Sequence, residues 1–149
     1  MTEVGFYHLL RTGPDQALPA LLGRTLAAGE RAIVRVGTDV RVAALDDALW
    51  AGTDPDWLPH GTIRTGHAAL QLIWITAADE NPNGARFLFL LDGQDCPGLL
   101  AWTRVFDLFD GTDPAAVTAA RTRWMAAKAL GANLTYWQQT ERGWSKQGT

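Results

Sequence analysis

Residues 4–36 read VGFYHLLRTGPDQALPALLGRTLAAGERAIVRV, and this stretch decides the fold. Residues 4–10 are a short apolar run, the length and character of a buried strand. Gly13-Pro14-Asp15 breaks it, since proline removes a ladder donor. A helix follows to about Ala28, with Pro19 near its first turn, and Gly29-Glu30 closes it. Residues 31–36 (RAIVRV) are again a strand. Strand, helix and strand in so short a span is the signature of an α/β domain.

The alternation continues outward from this unit. Gly37-Thr38-Asp39 turns the chain and offers caps for a helix to Trp50 or Ala51. Residues 52–66 hold Pro55, Pro59, Gly61 and Gly66 and read as a long connection. Strands are predicted at 70–76 (LQLIWIT), 86–91 (RFLFLL) and 105–109, with a turn at 81–84 and a short helix around 97–102. Asp113-Pro114 opens the longest helix as cap and first-turn proline, and that helix ends near Gly131. No repeat, low-complexity tract or linker interrupts the pattern. The expectation is one domain over residues 1–137 and a polar, flexible tail over 138–149.

A chain of 149 residues, 47% hydrophobic and 19% charged, can bury a real core. Its net charge of −3 argues against a large nucleic-acid footprint, which needs clustered cations. The only lysines are Lys128 and Lys146, so arginine carries most of the positive charge. Cys96 is alone and can form no internal disulfide, which suits a reducing compartment. The first residues lack a signal-peptide pattern and no apolar run approaches a membrane span, so the cytoplasm is the expected location. Seven tryptophans are many for this length, and tryptophan is enriched where proteins bind one another.

Catalytic signatures are missing. Gly13-Pro14-Asp15 and Gly37-Thr38-Asp39 have neither the glycine spacing nor the lysine of a phosphate loop. A small nucleotide-dependent enzyme of Rossmann-like fold is the alternative reading, supported by fold analogy alone. His8, His60, His67 and Cys96 are too scattered for a metal site, and no cofactor is implied. His8 reads as a satisfied core residue, and Asp46-Asp47 as solvated surface. The only serine, Ser145, cannot form a nucleophile elbow.

Two non-catalytic groupings stand out. In the first, Leu45-Asp46-Asp47-Ala48-Leu49-Trp50 ends a helix, and Trp57-Leu58-Pro59-His60 lies in the proline-bounded connection. Its tryptophans are either lids on the core or exposed anchors. In the second, Val117, Arg121, Trp124 and Lys128 recur at helical spacing in one stripe, with Met125 at its edge. Ala116, Ala119, Ala126, Ala127 and Leu130 form the opposite face, suited to packing on a sheet. Two cations beside a tryptophan suit a peptide with both an aromatic side chain and carboxylates. The plainer reading is a solvated helix face with Trp124 folded onto the core.

At these residues the chain resembles the chi subunit of bacterial DNA polymerase III. The resemblance rests on Phe6-Tyr7, on Leu-Asp-x-Ala-Leu-Trp at 45–50 and on Trp-x-Pro-His at 57–60. It continues through Val-Phe-Asp-Leu-Phe at 105–109, Arg-x-Arg-Trp at 121–124 and Lys-Ala-Leu-Gly-Ala-Asn-Leu at 128–134, covering roughly residues 4–137 in order. It implies a three-layer Rossmann-like fold with a mostly parallel sheet and no phosphate-binding loop. It also implies a non-catalytic accessory subunit of the polymerase holoenzyme, acting in DNA replication between the clamp loader and coated single strands. One surface is expected to bind the acidic, apolar-ended C-terminal tail of the single-stranded-DNA-binding protein. By position, that site falls on Phe109, Arg121 and Trp124. Met125 stands where the best-known members have lysine, and Lys128, one turn on, is the candidate for that charge. A second surface, at Trp50, Trp57 and Pro59, is expected to bind the psi subunit or another replisome protein such as a helicase. Contact with DNA is then mainly indirect, and no membrane is involved.

Overall fold

The computed structural model describes residues 1–51 and 58–147. Three helices and seven strands alternate along these residues. They are β1 (Glu3–Leu9), α1 (Pro14–Ala27), β2 (Ala32–Arg35), α2 (Asp39–Trp50), β3 (Ile73–Thr76) and β4 (Phe87–Leu90), then β5 (Arg104–Asp110), α3 (Pro114–Ala129), β6 (Asn133–Thr140) and β7 (Gly143–Gln147). All strands join one sheet in the order β3-β2-β4-β5-β1-β6-β7. Every neighbouring pair is parallel except β6 and β7, which form an antiparallel hairpin. The fold is α/β with a mostly parallel sheet, as expected.

Local chemistry sets the element ends. Thr38 caps α2 by accepting from the Arg41 N–H, and Asp113 caps α3 by accepting from the Ala115 N–H. Gly29 and Gly131, at φ 77° and 86°, supply the left-handed residues that follow α1 and α3. In α1 the first-turn proline is Pro14, and Pro19 lies inside the helix rather than near its start. The strand expected from residue 70 begins at Ile73, because Ala68–Leu70 forms a 3-10 turn that leaves Leu70 exposed. The short helix expected near 97–102 is a single 3-10 turn, Leu99–Ala101.

The last residues differ most from expectation. Residues 138–147, read as a polar tail, instead complete β6 and form β7 on the edge of the sheet. An edge strand is half solvated and tolerates polar side chains, so hydropathy alone hides it.

Helices cover both faces of the sheet. Leu18, Leu21 and Leu22 of α1 and Val42 and Leu45 of α2 pack with Val34, Phe89 and Leu108 on one face. Ala120 and Ala127 of α3 pack with Val4, Phe6, Leu90 and Val105 on the other. This layering follows from chain direction. From β1 the chain moves toward β2, and from β5 it moves the opposite way to β6. Right-handed crossovers in opposite directions put α1 and α3 on opposite faces.

The strand order therefore reverses between β1 and β5, the place where nucleotides enter sheets of this layering. Here the loop after β1 is already satisfied. The N–H groups of Leu10, Arg11 and Thr12 all donate to the Gln139 side-chain oxygen, at 3.1, 2.8 and 3.1 Å. Such convergent N–H groups cradle a phosphate in nucleotide-binding loops. In this chain a side chain from β6 holds them.

Candidate functional site

On the α3 face, Phe6, Asp107 and Tyr136 sit side by side across β1, β5 and β6. Phe109 lies one step further along β5 and is buried. Trp124 reaches down from α3, with its ring 5.2 Å from Phe6 and 6.1 Å from Tyr136, edge-on to both. These rings, with Val117 and Ala120, enclose a cavity of about 190 Å³, and Arg121 stands at its exposed rim. The guanidinium is near enough to the Tyr136 phenol to pull its pKa down, although burial raises it more.

The expected residues Phe109, Arg121 and Trp124 are thus brought together. Lys128 is not part of the lining; it is exposed on the next turn of α3. Phe6, Val117 and Tyr136 complete the walls. Of these Tyr136 was missed, for it lies in the unrecognised strand β6.

The alanine face of α3 needs correction. Ala120 and Ala127 are the buried positions, while Ala119, Ala126 and Leu130 are exposed. Val117 and Trp124 share the core-facing side, because burying an indole removes far more apolar surface from water than burying a methyl group. Trp124 is therefore both packed on the core and part of the cavity wall. Met125 points to solvent, 62% exposed.

His8 supports the far end of this cavity. Its ring lies 5.0 Å from Phe109, its Nδ1 meets the Tyr136 hydroxyl, and its Nε2 is 3.4 Å from the Gly111 carbonyl. Beside the cavity, Arg123 donates to both oxygens of Asp107 at 2.7 and 3.0 Å, a largely buried fork. Burial pushes the Asp107 carboxyl up, and Arg123 works in the opposite direction.

At the second expected surface, Trp57 lies outside the described residues. Trp50, at the end of α2, is 52% exposed and so lies at the surface. Its ring lies 4.4 Å from that of His60, and Pro59 beside it is half-buried. His60 is buried, donates from Nδ1 to the Leu58 carbonyl at 2.7 Å, and sets Nε2 3.0 Å from Asp46. Asp46 therefore faces inward beside His60, contrary to the surface reading, while Asp47 is exposed. His60 thus lies against α2, between Asp46 and the Trp50 ring.

The described residues hold no group of three or more potential metal ligands. None of their helices is long and apolar enough to cross a membrane. The described residues thus form a layered α/β domain with two cavities lined by aromatic rings and arginine, one on each face of the sheet. Residues 1–135 match the family model of the DNA polymerase III chi subunit, HolC, and the chain belongs to that family. It is a non-catalytic accessory subunit of the polymerase, acting in DNA replication. No curated protein matches the chain.

Proposed function

We propose that this subunit captures the acidic, apolar-ended tail of the single-stranded-DNA-binding protein between α3 and the sheet. The observation that carries the reading is the cavity walled by Phe6, Phe109 and Trp124, with Arg121 at its open rim. The apolar end of the tail enters the aromatic cavity, and Arg121 pairs with carboxylate at the mouth. Several tails on one DNA-bound assembly raise the local concentration of ligand, so a weak single contact suffices. The chain thereby meets DNA indirectly, in the cytoplasm, which agrees with its net charge of −3.

Arg121→Ala should weaken a tail peptide by about 1.5–3 kcal/mol, the range for a hydrogen bond to a charged group. Lys128→Ala should cost less, because Lys128 is outside the lining. Binding should fall as salt rises, since the contact is near the surface. Calorimetry of the wild type and both variants at two salt concentrations checks this. Equal affinity in all three proteins removes the assignment.

The second surface, with Trp50 and Pro59 beside His60, docks psi or another replisome protein such as a helicase. Half-exposed tryptophan is a common interface hot spot. Trp50→Ala should weaken a pull-down of that partner by more than about 1 kcal/mol while far-UV circular dichroism stays unchanged. An unfolded variant would show that Trp50 supports the core instead.

A further inference from the structure

The opposite face of the sheet has a cavity of the same chemistry. Tyr7, Phe106 and Trp137 form its floor, Trp144 of β7 forms one wall, and its volume is about 240 Å³. Arg24 on α1 and Arg104 on β5 stand at its sides. The Arg104 guanidinium lies 4.7 Å above the Phe106 ring, where the ring face holds it in place. Its acidic neighbour is Glu3, at a loose 3.8 Å with both side chains substantially exposed. Arg24 makes no ion pair among the described residues. No acidic residue lines the cavity. Burial raises the Tyr7 phenol pKa, and the charges of Arg104 and Arg24 work against it.

We propose that this cavity is a second peptide socket, taking one large apolar side chain of an acidic segment while Arg24 and Arg104 pair with the carboxylates beside it. The choice of occupant rests on reading the α3 cavity as a peptide site, for the two share aromatic walls and arginine rims. The shape agrees with it. A socket of this volume holds one side chain, and two cations match one or two carboxylates. A nucleic-acid strand needs a cationic track along several phosphates, whereas this cavity offers two arginines in a chain of net charge −3. The two cavities lie on opposite faces of the sheet, so one molecule can hold two acidic segments without overlap.

Calorimetry with an acidic peptide ending in phenylalanine tests this on the full chain. The proteins are the wild type, Arg24→Glu, Arg121→Ala and the double variant; both side chains are exposed, so the fold should persist. The wild type should bind two equivalents, each single variant should lose one site by about tenfold or more, and the double variant should lose both. If Arg121→Ala removes all binding, or Arg24→Glu changes nothing, the second socket is wrong and the α3 site stands. If Arg24→Glu alone weakens binding, the second socket stands and the α3 reading fails. An oligothymidylate that binds more tightly than the peptide, and is lost in Arg24→Glu, would overturn the peptide assignment.

Discussion

Asp107→Ala should destabilise the fold by about 3 kcal/mol, because it leaves the Arg123 guanidinium beneath α3 without its carboxylate. The side chain of Asp107 is 4% exposed and that of Arg123 is 11% exposed, so water replaces the lost partner poorly. The estimate sits at the low end for a broken buried pair, since cavities reach Arg123 from both sides. Burial raises the Asp107 carboxyl above its ordinary range, while the hydrogen bond and charge of Arg123 work in the opposite direction. A carboxyl raised on folding contributes stability that is full below its unfolded pKa and lost as pH rises through its folded pKa. Joint replacement, Asp107→Leu with Arg123→Met, should therefore come within about 1 kcal/mol of the wild type or exceed it. Urea denaturation of the three proteins separates these outcomes. If the single variant is as stable as the wild type, Arg123 is solvated and the fork is ornamental.

The same region shows what a sequence can and cannot disclose. Residues 4–36 were readable because two buried parallel strands are nearly pure apolar runs and the helix between them has a proline start and a glycine end. Strand β6 was not readable. Its alternation puts Leu134 and Tyr136 on the α3 face, and Thr135 and Trp137 on the other, all half-buried. Gln138, Gln139 and Thr140 continue the strand with polar side chains, and from Gln138 the signal is that of a tail. With β6 unseen, Tyr136 could not be joined to Trp124, and Trp137 and Trp144 could not be joined to Tyr7.

Partnered charges were hidden for a different reason. Asp46 looks solvated until His60 is brought beside it, 14 residues further along the chain. Arg123 sits within the Arg-x-Arg-Trp string, yet only the register that sets Asp107 beneath α3 separates it from Arg121. One arginine is structural and the other is free at a cavity rim. Helical spacing alone assigned the stripe that contains Arg121 and Trp124, but Ala127 is the one residue of the expected sheet-facing side that is buried, and Val117 and Trp124 of the stripe pack inward instead. A count of small residues outweighed the area of one indole.

Gly111→Ala should cost about 2–3 kcal/mol, toward the upper end for inserting one methyl group into a packed site. The added Cβ would lie 1.8 Å from His8 Cδ2, 2.1 Å from His8 Nε2 and 2.7 Å from the Leu9 carbonyl oxygen. The imidazole can rotate away, but the Leu9 oxygen is held by the Gly111 N–H at 2.7 Å, so the backbone must move as well. Displacing His8 removes the ring that lies against Phe109 and the nitrogen that meets the Tyr136 hydroxyl. Both of those residues line the α3 cavity. The variant should therefore lose tail-peptide affinity as well as stability, although residue 111 is outside the lining. His8→Ala in the Gly111→Ala background removes the two closest contacts and leaves that with the Leu9 carbonyl. It should recover part of the stability, giving a coupling energy of at least about 1 kcal/mol in a double-mutant cycle. It should not recover peptide affinity, because the support behind Phe109 and Tyr136 is still missing. Strict additivity of the two substitutions, measured by urea denaturation, would show that Gly111 is required for the course of its own backbone and not for the place of His8.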